Sequence, residues 1–164
     1  MIWLYAVYIL CSNAHAQYTG HDYRLLGNST FTTVNNPYAI AIDGMGNAWV
    51  TGHVSDTVTK LSSTGKKLGT FSVGALPEAI AIDGNGNAWV ANNDGNSVTK
   101  LSSNGNSMGT FSVGVGPLGI AFDNVGNAWV TNSEDGTVTK LNSFGKHLSS
   151  LISNHRRRLE PVTC

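Results

Sequence analysis

A single line of sequence occurs three times in this chain, at residues 39–50, 79–90 and 119–130, and its spacing limits the folds available. Trp49, Trp89 and Trp129 stand 40 residues apart, as do Pro37, Pro77 and Pro117, and Lys60, Lys100 and Lys140. No residue is inserted or lost between the units. A fixed period of this length marks a solenoid or a propeller, in which each unit buries its apolar faces only against its neighbours.

Each unit divides into four short strands. Ile40-Ala41-Ile42 is apolar on both sides, which suits a first strand held between neighbouring blades. Asn47-Ala48-Trp49-Val50-Thr51 is the second, with an indole to fill the space between blades. Thr57-Val58-Thr59-Lys60-Leu61 is the third, more polar and so expected further from the axis. Leu68-Gly69-Thr70-Phe71-Ser72-Val73 alternates as a half-exposed fourth strand. Between the first two, Asp43-Gly44-Met45-Gly46-Asn47 reads as a turn, its Asp capping N–H groups and Gly46 accepting a positive φ. One carboxylate per loop is too few for calcium.

The expected fold is therefore all-β: three four-stranded blades of a β-propeller, part of a six- or seven-bladed ring. The blades span 37–76, 77–116 and 117–153, within a propeller region of 17–153. An outer strand at about 26–34 precedes them, since Ser29-Thr30-Phe31-Thr32-Thr33 aligns with Gly69-Thr70-Phe71-Ser72-Val73. After Ser153 the pattern stops, and 154–164 reads as an irregular tail.

Three blades leave two apolar faces open. Either two chains pair into a six-bladed homodimer, or the chain is a fragment of a longer propeller. The loss of pattern at Arg156-Arg157-Arg158 points to the fragment.

Residues 1–16 differ in kind. The apolar run from Ile2 to Leu10 and the small-x-small boundary Ala14-His15-Ala16 have the form of a signal peptide. The run is too short to span a membrane. This predicts an extracellular or periplasmic protein with no membrane span after cleavage. Cys11 would leave with that segment and Cys164 would remain alone, so no intramolecular disulfide is expected. Without Arg156, Arg157, Arg158 and Glu160, seven basic residues face nine acidic ones. That balance offers no basic stripe for nucleic acid.

Positions identical in all three units (Ile40, Asp43, Gly46, Trp49, Val58, Lys60 and their equivalents) belong to blade building. The lysines would ring the outer wall, where solubility accounts for them. Positions that differ are freer to bind a ligand. Loops between strands two and three, and those leading into strand one, share one face around the channel. The candidate ligand-binding residues on that face are His53, Asp56, Asn92, Asp94, Asn132, Glu134 and Asp135. His53, Asp94, Glu134 and Asp135 would suit a divalent cation if they met, but Asn-Asp-Gly and Glu-Asp-Gly are also ordinary hairpin turns. No serine lies in a nucleophile elbow.

The stretch from Pro117 to Asn132, followed by Val138-Thr139-Lys140-Leu141, resembles bacterial NHL-type propellers, in particular the relatives of virginiamycin B lyase. The resemblance runs from about Phe31 to Ile152. It implies a propeller fold and, for the lyase relatives, a catalytic His, a supporting Glu and a magnesium ion on one face. At the corresponding positions stand Tyr38, Glu78 and Leu118, then Gly52, Asn92 and Asn132. Glu78 alone is ionisable and no His accompanies it, so no catalytic residue carries across.

The expectation is an exported binding module for a protein or small-molecule ligand, without cofactor or identifiable catalytic machinery. The alternative is part of a lyase-like or lactonase-like enzyme using Mg or Ca. A truncated product without independent function is a third reading.

Overall fold

The computed structural model describes residues 30–152. The expected signal peptide, both cysteines and the tail lie outside the described residues. Twelve strands form three antiparallel four-stranded sheets in simple chain order. Blade one holds β1 (Pro37–Ile42), β2 (Ala48–Gly52), β3 (Thr57–Leu61) and β4 (Lys67–Ser72). Blade two holds β5 (Pro77–Ile82), β6 (Ala88–Asn92), β7 (Ser97–Leu101) and β8 (Ser107–Ser112). Blade three holds β9 (Pro117–Phe122), β10 (Ala128–Asn132), β11 (Thr137–Leu141) and β12 (His147–Ile152). Among the described residues there is no helix, and so none that could cross a membrane.

The turns form as their residues require. Asp43 Oδ1 accepts the N–H groups of Met45 (3.0 Å) and Asn47 (2.9 Å). Gly46 takes φ 78°, which L side chains rarely adopt. The β5–β6 and β9–β10 turns repeat this with Asp83 and Asp123.

Alternation along the strands gives each blade two apolar faces. Trp49 and Val58 of blade one pack against Ala88, Val90 and Leu101 of blade two, with Phe71, Val73, Ile80 and Ile82 around them. The second seam repeats the arrangement with Trp89 and Val98 against Ala128, Val130 and Leu141. Trp49 and Trp89 are fully buried. At the edge of the first seam, Phe71 also covers the β7–β8 turn. Gly105 (φ 86°) sits directly under its ring, where any Cβ would collide.

Two expectations need correction. The third strand stands third in each sheet, as expected, yet every residue of β7 is buried, and the first correction concerns what it carries. Its lysine is not on the outer wall: Lys60 and Lys100 are each 5 % exposed. The register pairs Trp49 with Lys60 across β2 and β3, so the ammonium lies over the indole, 4.5 Å from its centroid. There it meets Asp43 Oδ2 at 3.0 Å, the oxygen that also accepts the Trp49 indole N–H. The butylene stem covers apolar surface while the charge is neutralised inside, so burial is tolerated. The other correction concerns the outer strand at about 26–34: residues 30–34 form no strand, and 26–29 lie outside the described residues. Phe31 nevertheless covers Gly65 as Phe71 covers Gly105.

Candidate functional site at the first seam

The β2–β3 loop of each blade hydrogen-bonds to the segment leading into its first strand. His53 N–H donates to Asn36 O (3.0 Å), Asn93 N–H to Leu76 O (2.9 Å) and Ser133 N–H to Gly116 O (2.8 Å). These bonds hold both kinds of loop on one face, and they fix where each candidate residue stands.

Four of the seven candidates brace that face, although Asn132 Oδ1 is buried without a hydrogen-bond partner among the described residues. Asp56 Oδ1 accepts the Leu76 N–H of the next blade at 2.9 Å. Asn92 is fully buried; it accepts from Gly74 N–H and donates to Ser97 Oγ and Thr99 Oγ1. Asn132 donates likewise to Thr137 Oγ1 and Thr139 Oγ1. The Thr137 hydroxyl and the Val115 N–H hold the Asp135 carboxyl below its ordinary range. Asp94 and Glu134 stand exposed. Among the described residues no three His, Cys, Asp or Glu side chains gather as a metal site would require.

His53 is different. It leaves the end of β2 and reaches over the seam to the second residue of β5, where its Nε2 lies 3.0 Å from Glu78 Oε1. Tyr38 stacks on its other side, ring centroids 4.7 Å apart and 18° from parallel. The His53 and Glu78 side chains are 20 % and 12 % exposed. Glu78 Oε2 is buried without a hydrogen-bond partner among the described residues. In the neutral tautomer that donates Nε2–H to the carboxylate, Nδ1 is the ring's acceptor. A histidine oriented in this way can accept a proton or a hydrogen bond from a ligand, while Tyr38 supplies a flat apolar wall.

This corrects the expectation that no His accompanies Glu78. The partner comes from one residue beyond the motif position, in the preceding blade. The second described seam does not repeat the arrangement, because positions 93 and 118 are Asn and Leu. The sequence placed His53 on this face and marked Glu78 only as a motif-equivalent position outside the candidate list; 25 positions separate the two and no spacing rule joins them. Only the stagger of adjacent blades does.

No family model matches the chain, and no curated protein does. Among solved structures, hydrazine synthase of Kuenenia stuttgartiensis is similar with TM-score 0.69 and 22% identity, over 82% of this chain and 40% of that one. A streptogramin B lyase is similar with TM-score 0.68 and 23% identity, over 74% and 42%. Virginiamycin B lyase from Staphylococcus aureus gives 0.66 and 18%, over 73% and 42%. The chain thus spans less than half the length of each. Its described residues form three blades of a β-propeller and share their fold with virginiamycin B lyase.

Proposed function

We propose that this chain is an exported propeller segment that binds a ligand on its loop face, with His53, Glu78 and Tyr38 as the anchor. The observation that supports it is the His53–Glu78 pair itself. Among the described residues it is the interaction on this face that joins two ionisable side chains, and it leaves Glu78 Oε2 unused by the blades. The export half of the proposal rests on the apolar run and the Ala14-His15-Ala16 boundary. The NHL kinship rests on the repeated strand-turn-strand line.

A fragment-library screen by NMR tests the binding site. Ligands should shift signals of Tyr38, His53 and Glu78 together, and His53→Ala should abolish those shifts. Hits that scatter over the surface, or that survive the substitution, would overturn the assignment.

The second reading, part of a metal-dependent lyase-like or lactonase-like enzyme, draws on the same imidazole–carboxylate pair and on the shared fold. One carboxylate beside a histidine supplies too few hard oxygen ligands for Mg or Ca, so the donor set does not fit a resident ion and no step is drawn through one. A catalytically inactive virginiamycin B lyase from Staphylococcus aureus has been solved with quinupristin; turnover of that compound by the wild-type chain, lost in Glu78→Gln, would favour this reading over simple binding.

A further inference from the structure

The two ends of the three-blade arc are the two halves of a seam that the molecule has already built twice. At the start, Ile40 and Ile42 are 63 % and 59 % exposed, whereas their equivalents Ile80 and Ile82 pack into the first seam. At the end, Trp129 and Val138 are only half-buried, whereas Trp49, Trp89, Val58 and Val98 are fully buried. The exposed sets are the missing partners of one another, residue for residue.

A cavity of about 340 Å3 lies on the face of blade one, lined by Phe31, Thr33, Tyr38, Ile40 and Val50 among others. One repeat later, Phe71, Val73, Ile80 and Val90 surround Trp49 and Val58. The cavity therefore lies where a preceding blade inserts its indole. Phe31 already covers Gly65, so the blade-one side lacks only the Trp–Val face of a neighbour.

The polar contacts lead to the same partner. Lys60 Nζ donates to Ser103 O of the next blade and Lys100 Nζ to Ser143 O, both at 2.8 Å. Lys140 makes the corresponding pair with Asp123 at 3.1 Å and stacks on Trp129 at 4.5 Å. The next acceptor in this series, one period before Ser103, is Ser63 of blade one.

We propose that a second copy of this chain occupies both end faces. Trp129 of each copy enters the cavity beside Ile40 and Val50 of the other, and Lys140 reaches the Ser63 carbonyl. Two such head-to-tail seams close a six-bladed ring by a two-fold axis. This assembly does not depend on which ligand the loop face takes.

Sedimentation equilibrium on the full chain at micromolar concentration tests it, with Ile42→Asp and Val138→Asp as variants on opposite end faces. Wild type should have twice the mass of one chain, and each variant alone should fall to the monomer with its β-sheet circular dichroism intact. Mixing the two variants should restore a two-chain species, because one seam then joins two unaltered faces. A monomeric wild type, an open polymer, or variants that stay monomeric when mixed would each overturn the ring.

Discussion

At the residue scale the blade is organised by one triad repeated three times. In each blade an Asp carboxylate receives a Trp indole N–H and a Lys ammonium: Asp43 with Trp49 and Lys60, Asp83 with Trp89 and Lys100, Asp123 with Trp129 and Lys140. Burial pushes the Asp43 carboxyl up, but the Asn47 side chain and backbone N–H, the indole and the ammonium together outweigh it. The carboxyl is held well below its ordinary value of 3.8. Asp83 is lowered in the same way, burial being opposed by Asn87 and Trp89. A carboxyl with a depressed folded pKa contributes stability above its unfolded value and loses it as pH falls through the folded one. The protein should therefore keep its full stability down to about pH 4 and lose it progressively below, which acid titration followed by Trp fluorescence will read.

Removing one member of the buried pair is a harsher test. Lys100→Ala strands a carboxylate whose side chain is 6 % exposed, and should cost about 3–5 kcal/mol in urea denaturation. A solvated lysine on an outer wall would cost less than about 0.5 kcal/mol. The sequence shows Asp, Trp and Lys at fixed spacing in every unit, so their role in the blade was legible. Their mutual contact was not, because a polar residue on a strand gives no sign of whether it faces solvent or a buried counter-ion. The cross-strand register of Trp49 with Lys60 carries that information.

At the scale of elements, β-strands and turns followed the repeat closely because each is fixed by local chemistry. Strand limits moved by only a few residues, the first strand starting at Pro37 and the fourth at Lys67. The fourth-strand aromatic was harder to interpret. Its partner is a glycine 34 residues later in the next blade, as for Phe71 on Gly105 and Phe111 on Gly145. Gly105→Ala forces a Cβ into the Phe71 ring at φ 86° and should destabilise by about 1–3 kcal/mol. Gly84→Ala, with nothing within 4 Å of the new methyl, should stay within about 0.5 kcal/mol. Equal effects of the two substitutions in thermal melts would show that the aromatic cover is dispensable. The site follows the same rule. His53 and Glu78 lie on separate blades, so their meeting depends on the stagger of adjacent sheets rather than on any motif.

At the scale of the whole molecule, a repeat array derives its stability from seams as much as from blades. Blade two is covered on both sides, and all of β6 and β7 is buried. Blade one presents Ile40 and Ile42 to solvent, and blade three leaves Trp129 half-buried. Truncating a seam indole should therefore cost an amount that depends on its place in the array. Trp89→Ala removes a fully buried side chain from the second seam and should cost about 3–5 kcal/mol. Trp129→Ala removes the equivalent side chain from an end face, where part of its area is already in water and the cavity term is smaller. Measured on dilute monomer, its cost should be clearly less than that of Trp89→Ala. As protein concentration rises and end faces are covered, the two costs should converge, because Trp129 then occupies the environment Trp89 has within one chain. A Trp129→Ala cost that equals the Trp89→Ala cost at every dilution would mean that the end face is covered within the single chain. A difference that persists at high concentration would mean that nothing covers it. Paired denaturation curves across a dilution series thus measure directly how far the third seam is built.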